Sequence, residues 1–552
     1  MIERLRGSAL ALAGLIPVAS FAAPDCGTVA DLAPHGMTIT GAVATPASDE
    51  APVAHCIVRG RLAERMGSDG NPYAVSFELR LPDDWSGRFL HQFNGGNDGA
   101  VVPALGRLSV MAANDGALAR GFAVVSSDAG HDGSAHPKAG LAGANLFGLE
   151  FEARKDYGYG AVAKLHPAVV ALTEAYYDAP IRYTYGMGSS NGGRHALVAA
   201  SRMPESFDGL IAGYPGIHLP RAAIQHAWDV QTFRSVGESL AEAFTEEELD
   251  LVSASVRAAC DELDGLEDGL IFAVNACQKT FEPASMACST SRNDDCLAAR
   301  KVDALIRILG GPLNSAGERL YSDWVWDTGI SSGNWRTWKL ESIVPPWDRK
   351  PIIAIMGAGS LAQAFTTPPT PLAGDSASLE AYLMEFDFDR DAPKIDATSS
   401  AFPESAMELI TPPDSDAPTL AGLEAAGGKL IVFHGVSDPV FSFQDTVRWY
   451  ESLLDNNPDA TDFVRFYAVP GMPHGPGGAA PDQFDMLTAL VDWVERDRAP
   501  GPVVATVRPD SEAAPATLRG ATRKLCPWPS ISSYTATDPR SADAFSCVEP
   551  SR

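Results

Sequence analysis

Basic residues are scarce in this 552-residue chain, which has 42 Lys and Arg against 70 Asp and Glu and a net charge of −28. An acidic field of this size repels phosphate backbones and anionic membrane surfaces, so we expect no nucleic acid partner and no membrane insertion. The sequence also lacks an internal period of roughly 20 to 50 residues, which excludes solenoids and propellers. The 45% hydrophobic and 20% charged residues fit a large globular protein instead.

None of the cysteines forms a C-x-x-C pair, which disfavours a thiolate metal site. The chain has 8 Cys, an even number that suits disulfides in an oxidising compartment. They fall into three clusters along the sequence, and the pairing within the middle cluster stays open at this point. The clusters are Cys26 with Cys56, the four residues Cys260, Cys277, Cys288 and Cys296, and Cys526 with Cys547.

The N-terminal apolar run from Ala9 to Phe21 is too short to span a bilayer. Basic residues precede it and the small residues Ala22 and Ala23 follow it, an order typical of a cleaved export signal. A buried N-terminal helix is the weaker alternative. We therefore predict a signal peptide at residues 1–22 and a mature protein that is secreted or periplasmic.

Several apolar runs end in glycine-rich loops and precede helical patterns, which predicts a largely parallel sheet in an α/β fold. Functional groups cluster at the carboxyl ends of such strands. Between Tyr214 and about Pro418 the pattern changes to helical segments, such as 246–260, and to Trp-bearing segments, which indicates an inserted second lobe. The predicted strands are 88–93, 121–126, 181–185, 210–212, 429–433 and 464–469.

Two segments, 188–192 and 329–333, match the pattern G-x-S-x-G. Only the first follows a predicted strand and precedes a helical pattern, as a nucleophile elbow requires, so Ser190 is the candidate nucleophile. The Asn191 amide, together with an amide of Gly95 or Gly96 after an earlier strand, is predicted to hold an oxyanion. The alternative is that both glycine-rich stretches are ordinary turns.

A serine nucleophile needs a base, and the base needs an orienting carboxylate. Asp438 and His474 each follow an apolar strand-like run, and the order Ser, Asp, His is characteristic of α/β-hydrolases. Alone, either residue fits a capping Asp or a surface His equally well, but together with Ser190 they predict a triad. For His195 and His434, which lie near this site in the sequence pattern, packing or solvent roles are favoured over catalysis.

Segments 188–194, 207–213 and 471–474 resemble the tannase and feruloyl esterase family, which includes mono(hydroxyethyl) terephthalate hydrolases. Segment 522–529 looks like the closing motif of that family, and the resemblance extends from about Cys26 to Cys547. It implies an α/β-hydrolase core with a large inserted lid domain. The implied boundaries are 23–218 and 418–552 for the catalytic domain and 219–417 for the lid.

The chain departs from the family at two positions beside the site. Members usually carry a Cys immediately before the nucleophile and another immediately after the catalytic His, joined as a disulfide. Here these positions are Ser189 and Gly475. We expect activity to survive, with the two loops held by packing and hydrogen bonds and coupled more loosely.

The lid segment 260–270 resembles the calcium loop of the family. From the residues alone, an acidic loop without a metal is the better interpretation, but the resemblance implies structural calcium, which prefers several oxygen ligands. It also implies the pairs Cys26–Cys56, Cys260–Cys277, Cys288–Cys296 and Cys526–Cys547. The implied calcium ligands are the carboxylates of Asp261, Asp264 and Asp268 and the carbonyls of Leu266 and Leu270.

Together, the residues and the resemblance predict an exported serine carboxylesterase without an organic cofactor. Its substrates would be esters of hydroxycinnamic, hydroxybenzoic or terephthalic type acids, cleaved through an acyl-enzyme. One alternative is an esterase for aliphatic or polyester fragments. Another is a non-catalytic secreted binding protein on a hydrolase scaffold. The sequence does not reveal the oligomeric state.

Overall fold

A single large sheet carries the candidate site. The computed structural model describes residues 25–289 and 295–550, so the predicted signal peptide lies outside the described residues. Within them, the sheet has 9 strands in the order β1-β2-β3-β5-β4-β6-β7-β8-β9. Its strands are β1 Met37–Thr45, β2 His55–Met66, β3 Pro72–Pro82, β4 Arg88–Phe93, β5 Phe122–Ser127, β6 Tyr183–Ser189, β7 Gly209–Gly213, β8 Lys429–Gly435 and β9 Val464–Val469.

The sheet is parallel from β4 to β9 and antiparallel from β1 to β3, with β5 paired to both parts. The predicted strands β4 and β9 have the observed bounds, and all residues of β5 and β7 are buried, as in a sheet covered on both faces. The strand β6 is longer than predicted and ends at Ser189, directly before the candidate nucleophile. The α/β-hydrolase type of fold is confirmed.

Helices cover the sheet and build the insertion between β7 and β8. The predicted helix over 246–260 is present as α5 with the same bounds. The helices of the described residues are α1 Phe151–Lys155, α2 Ala161–Tyr177, α3 Asn191–Arg202, α4 Leu219–Arg234, α5 Glu246–Cys260, α6 Val274–Thr280, α7 Ala299–Gly310, α8 Gly333–Lys339, α9 Ser376–Glu385, α10 Ala406–Ile410, α11 Ala421–Ala425, α12 Phe443–Asn456 and α13 Met486–Arg496.

The predicted lid, 219–417, contains α4 to α10, and these helices contribute to one hydrophobic core. That core also includes side chains from the catalytic part of the chain, among them Tyr73, Phe147 and Tyr157. The lid is therefore packed onto the segment that precedes α2, and the two units share buried apolar surface. No helix of the described residues is long and apolar enough to cross a membrane.

Two small antiparallel sheets close the chain and lie in its last fifth. They pair β10 Val503–Thr506 with β11 Thr522–Leu525, and β12 Ile531–Tyr534 with β13 Phe545–Val548. All eight cysteines form disulfides, and the pairs are the four expected from the family resemblance: Cys26–Cys56, Cys260–Cys277, Cys288–Cys296 and Cys526–Cys547.

Candidate active site

Ser190 occupies a sharp turn between β6 and α3. Its backbone has φ 62° and ψ −128°, which is a strained conformation for a residue with a side chain. Glycine is required on both sides, because a Cβ at Gly188 would lie 2.5 Å from the Gly192 carbonyl oxygen, and one at Gly192 would lie 2.4 Å from the Phe93 carbonyl oxygen. The pattern G-x-S-x-G thus has a steric cause here. Ser331, in the second match, lies in the short helical turn Thr328–Ser331.

The fold brings the three predicted triad residues together. The Ser190 hydroxyl oxygen lies 2.8 Å from His474 Nε2, and His474 Nδ1 lies 2.7 Å from Asp438 Oδ2. Asp438 follows β8 and His474 follows β9, so both loops leave the same edge of the sheet as the elbow. These distances suit proton transfer from the Ser190 hydroxyl to the His474 imidazole. They also let the Asp438 carboxylate stabilise the imidazolium that would form.

The Asp438 carboxylate is buried and held in its ionised form. Burial alone would raise its pKa, but the attraction of His474 and hydrogen bonds from His474 and His434 lower the pKa below its ordinary value. Its Oδ1 accepts the backbone N–H of Val440 at 2.7 Å and of Phe441 at 3.0 Å. His434, whose Nε2 lies 3.4 Å from Asp438 Oδ2, therefore supports the triad in addition to its packing role.

The glycine-rich loop after β4 lies beside the elbow. A Cβ at Gly95 would be 3.4 Å from the Ser189 carbonyl oxygen and 3.8 Å from Ser190 Cβ. Gly96 has φ +63°, and it lines the same pocket as Ser190 and Asn191. Gly95 thus lies against the elbow and Gly96 lines the pocket beside it, so both predicted glycines border the candidate nucleophile.

A buried polar network ties this loop to α3. The side-chain amide nitrogen Nδ2 of Asn191 donates to Asp98 Oδ2 at 2.8 Å, and His195 Nε2 lies 2.9 Å from the same oxygen. The Arg194 Nε donates to Asn191 Oδ1 at 2.6 Å. Burial raises the pKa of Asp98 to about 7, although Arg194 and the Asn191 hydrogen bond oppose the rise. Asp98 thus fixes the two halves of the candidate oxyanion hole relative to each other.

On the histidine side, Tyr214 lies where the family carries its active-site disulfide. The Tyr214 hydroxyl lies 3.2 Å from the Ser109 hydroxyl, and the Ser189 side chain lies close enough to influence the pKa of Tyr214. A Cβ at Gly475, which has φ +84°, would lie 3.3 Å from that hydroxyl. The Tyr214 ring packs edge-on against His474 with centroids 4.9 Å apart. One tyrosine therefore bridges the two positions that would otherwise hold the two sulfurs.

The lid contacts His474 directly. The Trp338 ring on α8 packs edge-on against the imidazole at 4.9 Å, and the Phe441 ring does so at 5.3 Å. The Asn334 amide, also on α8, donates to the His474 carbonyl oxygen at 3.1 Å. The lid also binds the loop of the candidate acid, since the Gly329 N–H donates to the Ser437 hydroxyl at 2.9 Å.

A pocket opens beside Ser190, between the elbow and the lid. Its lining is largely apolar, with contributions from α4, from the segment after α8 and from the loop after β8. The lining therefore presents apolar side chains directly beside the candidate nucleophile. The apolar side chains of the lining are Leu219, Ala223, Trp338, Met356, Phe365, Val440 and Phe441.

The acidic lid loop shows a different arrangement. Asp261 accepts the Gly269 N–H at 2.8 Å, Asp264 accepts the Phe272 N–H at 2.8 Å, and Asp268 pairs with Arg523. Burial, together with the neighbouring carboxylates, raises the pKa of Asp264 to about 7. In the described part of the chain, no group of three or more His, Cys, Asp or Glu side chains is arranged to hold a metal ion. Calcium binding by Asp261, Asp264, Leu266, Asp268 and Leu270 stays a prediction.

A serine elbow above a parallel sheet of this order defines the α/β-hydrolase class. Within that class, the family model described as "Tannase and feruloyl esterase" matches residues 56–548, and the chain belongs to this family. It is accordingly a carboxylic ester hydrolase.

The relatives cover almost the whole chain. It is 36% identical to a mono(2-hydroxyethyl) terephthalate hydrolase of Piscinibacter sakaiensis, over 96% of this chain and 89% of the relative. It is 28% identical to a probable feruloyl esterase of Arthroderma benhamiae, over 86% and 82% of the two chains. The crystal structure of feruloyl esterase B from Aspergillus oryzae matches the fold with a TM-score of 0.71 and 21% identity, covering 95% and 99% of the two chains.

Several supporting residues escaped the sequence analysis. Asp98 belongs to the glycine-rich loop 94–99 that was singled out, and a buried acid there is a signal that sequence reasoning could have used. Tyr214, Asn334 and Trp338 carry no motif of their own, because their contacts arise only when the lid and the loop after β7 meet His474.

Proposed function

We propose that this chain is a serine carboxylesterase in which Ser190, His474 and Asp438 carry out the chemistry on esters of aromatic carboxylic acids. The observation that carries the proposal is the continuous contact from the Ser190 hydroxyl to His474, 2.8 Å, and from His474 to Asp438, 2.7 Å, at the base of an aromatic-lined pocket.

In the first half-reaction, His474 Nε2 takes the proton of the Ser190 hydroxyl as its oxygen attacks the ester carbonyl carbon. The amides of Asn191 and Gly96 stabilise the negative oxygen that forms, and the ionised Asp438 stabilises the imidazolium. The imidazolium then protonates the departing alkoxide, which leaves as the alcohol. An acyl-enzyme on Ser190 remains.

In the second half-reaction, His474 takes a proton from a water molecule that attacks the acyl carbonyl carbon. The same two amides stabilise the second oxyanion. His474 returns the proton to the Ser190 oxygen as the acid leaves, so the free enzyme is restored. Trp338 and Phe441 pack on the imidazole and limit its rotation during both steps.

The aromatic acyl group is supported by two lines of reasoning. The relatives are named for feruloyl and terephthalate esters. The pocket beside Ser190 is lined by Trp338, Phe365 and Phe441, whose rings favour contact with a planar aromatic group. An esterase for aliphatic or polyester fragments remains the alternative within the same reaction class.

The test is hydrolysis of methyl ferulate, methyl gallate, mono(2-hydroxyethyl) terephthalate and ethyl butyrate by the native protein and by Ser190→Ala. We expect turnover of at least one aromatic ester, lower turnover of ethyl butyrate, and a loss of at least about 10³-fold in Ser190→Ala. Turnover that persists in Ser190→Ala would eliminate the assigned nucleophile. Tight binding of an aromatic acid without any turnover would favour the non-catalytic scaffold.

We further propose that the protein is exported and that the acidic lid loop binds calcium. Four disulfides favour an oxidising compartment. Asp261, Asp264 and Asp268 crowd one loop, and their mutual repulsion would be relieved by a hard cation. The ion would brace the lid and take no part in the chemistry.

Two measurements test these additions. Mass spectrometry of the protein from the periplasm or the medium should show a start near residue 23. A chelator such as EGTA should lower the unfolding temperature, calcium should restore it, and Asp264→Asn should abolish the difference. An unfolding temperature that is the same with EGTA and with calcium would contradict calcium binding.

A further inference from the structure

A buried aspartate of the predicted lid contacts the loops of both the candidate acid and the candidate base. Asp327 is 3% exposed, and its Oδ2 accepts two hydrogen bonds. One is donated by the hydroxyl of Ser437, which directly precedes Asp438. The other is donated by the Gly471 N–H at 2.9 Å, in the loop that carries His474. A single oxygen atom thus connects the two loops that supply the carboxylate and the imidazole of the triad.

Glycine at two positions allows the lid to come this close. A Cβ at Gly329 would lie 2.5 Å from Ser437 Oγ and 2.7 Å from the Gly471 carbonyl oxygen. Gly471 itself has φ +70°, and a Cβ there would lie 2.4 Å from the Ala479 carbonyl oxygen. Gly329 is the first residue of the second G-x-S-x-G match, 329–333. That match therefore has a structural cause, which is the close packing of the lid on the two triad loops.

The hydrogen bonds around Asp327 form a directed chain. The Gly329 N–H donates to the Ser437 hydroxyl at 2.9 Å, and this hydroxyl in turn donates to Asp327. The acid loop and the base loop also bond each other directly, since the Ser437 N–H donates to the Met472 carbonyl oxygen at 3.0 Å. Asp327 therefore lies at the point where the two loops meet, and it bonds one group from each.

The structure supports the role of a fixed acceptor for Asp327. Burial raises the pKa of its carboxyl group, while hydrogen bonds from Ser437, Gly471 and Thr328 oppose the rise. The donors that reach Oδ2 are a hydroxyl and a backbone N–H, and neither carries a charge. A neutral amide oxygen in the same place can accept both hydrogen bonds. The acceptor geometry, and not the negative charge, is therefore the property that connects the loops.

The lid segment that begins at Asp327 continues to the catalytic histidine. Ser332 caps α8 with its hydroxyl. The helix α8 then places Asn334 and Trp338 against the backbone and the ring of His474. One continuous stretch of lid thus contacts the acid loop, the base loop and the base itself. Asp327 is the member of this stretch that joins the acid loop to the base loop.

We propose that Asp327 is a positioning residue, whose carboxylate holds the loop of Asp438 and the loop of His474 in the relative position that the triad requires. This inference rests on the proposed esterase function and adds to it a lid residue that acts through the two loops. A displacement of about 1 Å can lower a reaction rate by about 100-fold, so two hydrogen bonds that fix both loops should have a measurable effect.

The test measures the reactivity of Ser190 with and without a substrate. Methanesulfonyl fluoride is a small reagent that sulfonylates an activated serine, so its rate reports on the triad and depends little on the acyl pocket. Asp327→Ala should lower this rate and kcat by at least about tenfold, with KM within about twofold of the native value. Asp327→Asn should keep at least about a third of both rates, and Ser437→Ala should lower both by about threefold.

The matched control is Asp391→Ala. Asp391 is also a buried aspartate of the predicted lid, at 8% exposure, but it accepts the Asp387 N–H at 2.9 Å and pairs with Lys394, within its own segment. This variant should lose stability and keep the native rate of sulfonylation. A purely structural role of Asp327 would give the same result, namely a lower unfolding temperature with an unchanged rate in the folded protein.

The outcomes separate this inference from the proposed function. A native rate of sulfonylation in Asp327→Ala, or equal losses in Asp327→Ala and Asp327→Asn, would overturn the inference while the esterase remains. A native protein that is not sulfonylated at Ser190 and cleaves no ester would instead overturn the proposed function. If Asp327→Ala does not fold, Ser437→Ala decides: a reduced kcat with native KM supports the inference, and a native kcat contradicts it.

Discussion

The two sides of the active site are held by different interactions. On the nucleophile side, the oxyanion loop and α3 are joined by a buried network in which Asp98 contacts Asn191 and His195. On the base side, His474 lies among three aromatic rings, and Tyr214 joins the loops through hydroxyl contacts. The nucleophile side relies on hydrogen bonds, whereas on the base side ring packing adds to the hydrogen bonds of His474 with Asp438 and Asn334.

The difference follows from what each side must do. An oxyanion hole stabilises charge only if its donors are fixed before the charge forms, and directional hydrogen bonds achieve this. In the proposed mechanism, the imidazole accepts a proton from Ser190 and passes it to the leaving group, and the ring contacts limit its rotation while still permitting small shifts. We therefore expect loss of the Asp98 network to cost more activity than loss of the Tyr214 contacts.

Among the variants of these supporting contacts, the largest effect should come from Asp98→Ala. Loss of this carboxyl releases the Asn191 side chain from the loop that carries Gly96, so kcat should fall about 100-fold with little change in KM. Asp98→Asn, which keeps an accepting oxygen, should retain more than a tenth of native kcat. Steady-state kinetics on methyl ferulate provide the measurement, and native kcat in Asp98→Ala would contradict the role of the network.

A smaller effect is expected at Tyr214. Tyr214→Ala removes both the ring contact with His474 and the hydroxyl bridge, and kcat should fall about tenfold. Tyr214→Phe keeps the ring and loses a hydrogen bond, so a fall of about threefold is expected. Equal losses in the two variants would show that the hydroxyl, and not ring packing, supports the base side.

The same tyrosine should block the family disulfide. In Ser189→Cys/Gly475→Cys, the new side chain at 475 has an unfavourable φ of +84° and lies against the Tyr214 hydroxyl. We expect free thiols in this double variant and a disulfide only when Tyr214→Ala is added. Thiol titration under denaturing conditions distinguishes the two states. A disulfide in the double variant would show that the Tyr214 side chain can move away from position 475.

The smallest effect concerns the pH dependence of stability. The pKa of Asp98 is about 7 in the folded protein and near 3.8 when unfolded, so between these values the folded state holds a proton that the unfolded state releases. The Asp98 contribution to the free energy of unfolding therefore decreases as pH rises from about 4 to about 7.

Asp98→Asn removes this titration. Its unfolding temperature, relative to that of the native protein, should therefore increase by about 2 °C between pH 5 and pH 8. The native protein alone is a poor test, because burial lowers the pKa of several histidines, including His131 and His166, and these residues have the opposite effect in the same pH range. A difference between variant and native protein that does not change with pH would contradict the raised pKa of Asp98.

The parts of the molecule that local sequence determines were predictable. The strands β4 and β9 and the helix α5 have the predicted bounds, because each is a short apolar run or an amphipathic pattern between clear breaks. The elbow at Ser190 was recognised because its glycines are sterically required. The antiparallel strands β1 to β3 were missed; in β2 the buried positions include His55 and Gly60, so the alternation of burial is not visible as an apolar alternation in the sequence.

Contacts between distant segments could not be predicted in the same way. Tyr214 reaches His474 across 260 positions of chain, and nothing in its neighbours marks it. The replacement of the family disulfide was visible at Ser189 and Gly475, but the group that takes its place was not.

The contacts between α8 and His474 have a consequence for how the insertion can evolve. Asn334 and Trp338 belong to the predicted lid, yet they contact the backbone and the ring of His474, the candidate general base. A movement of the whole insertion away from the sheet would break the contacts of α8 with His474 and would open the pocket beside Ser190 at the same time. New specificities in this lineage should accordingly arise by exchanging wall residues one at a time, while the helix that carries Asn334 and Trp338 stays in register.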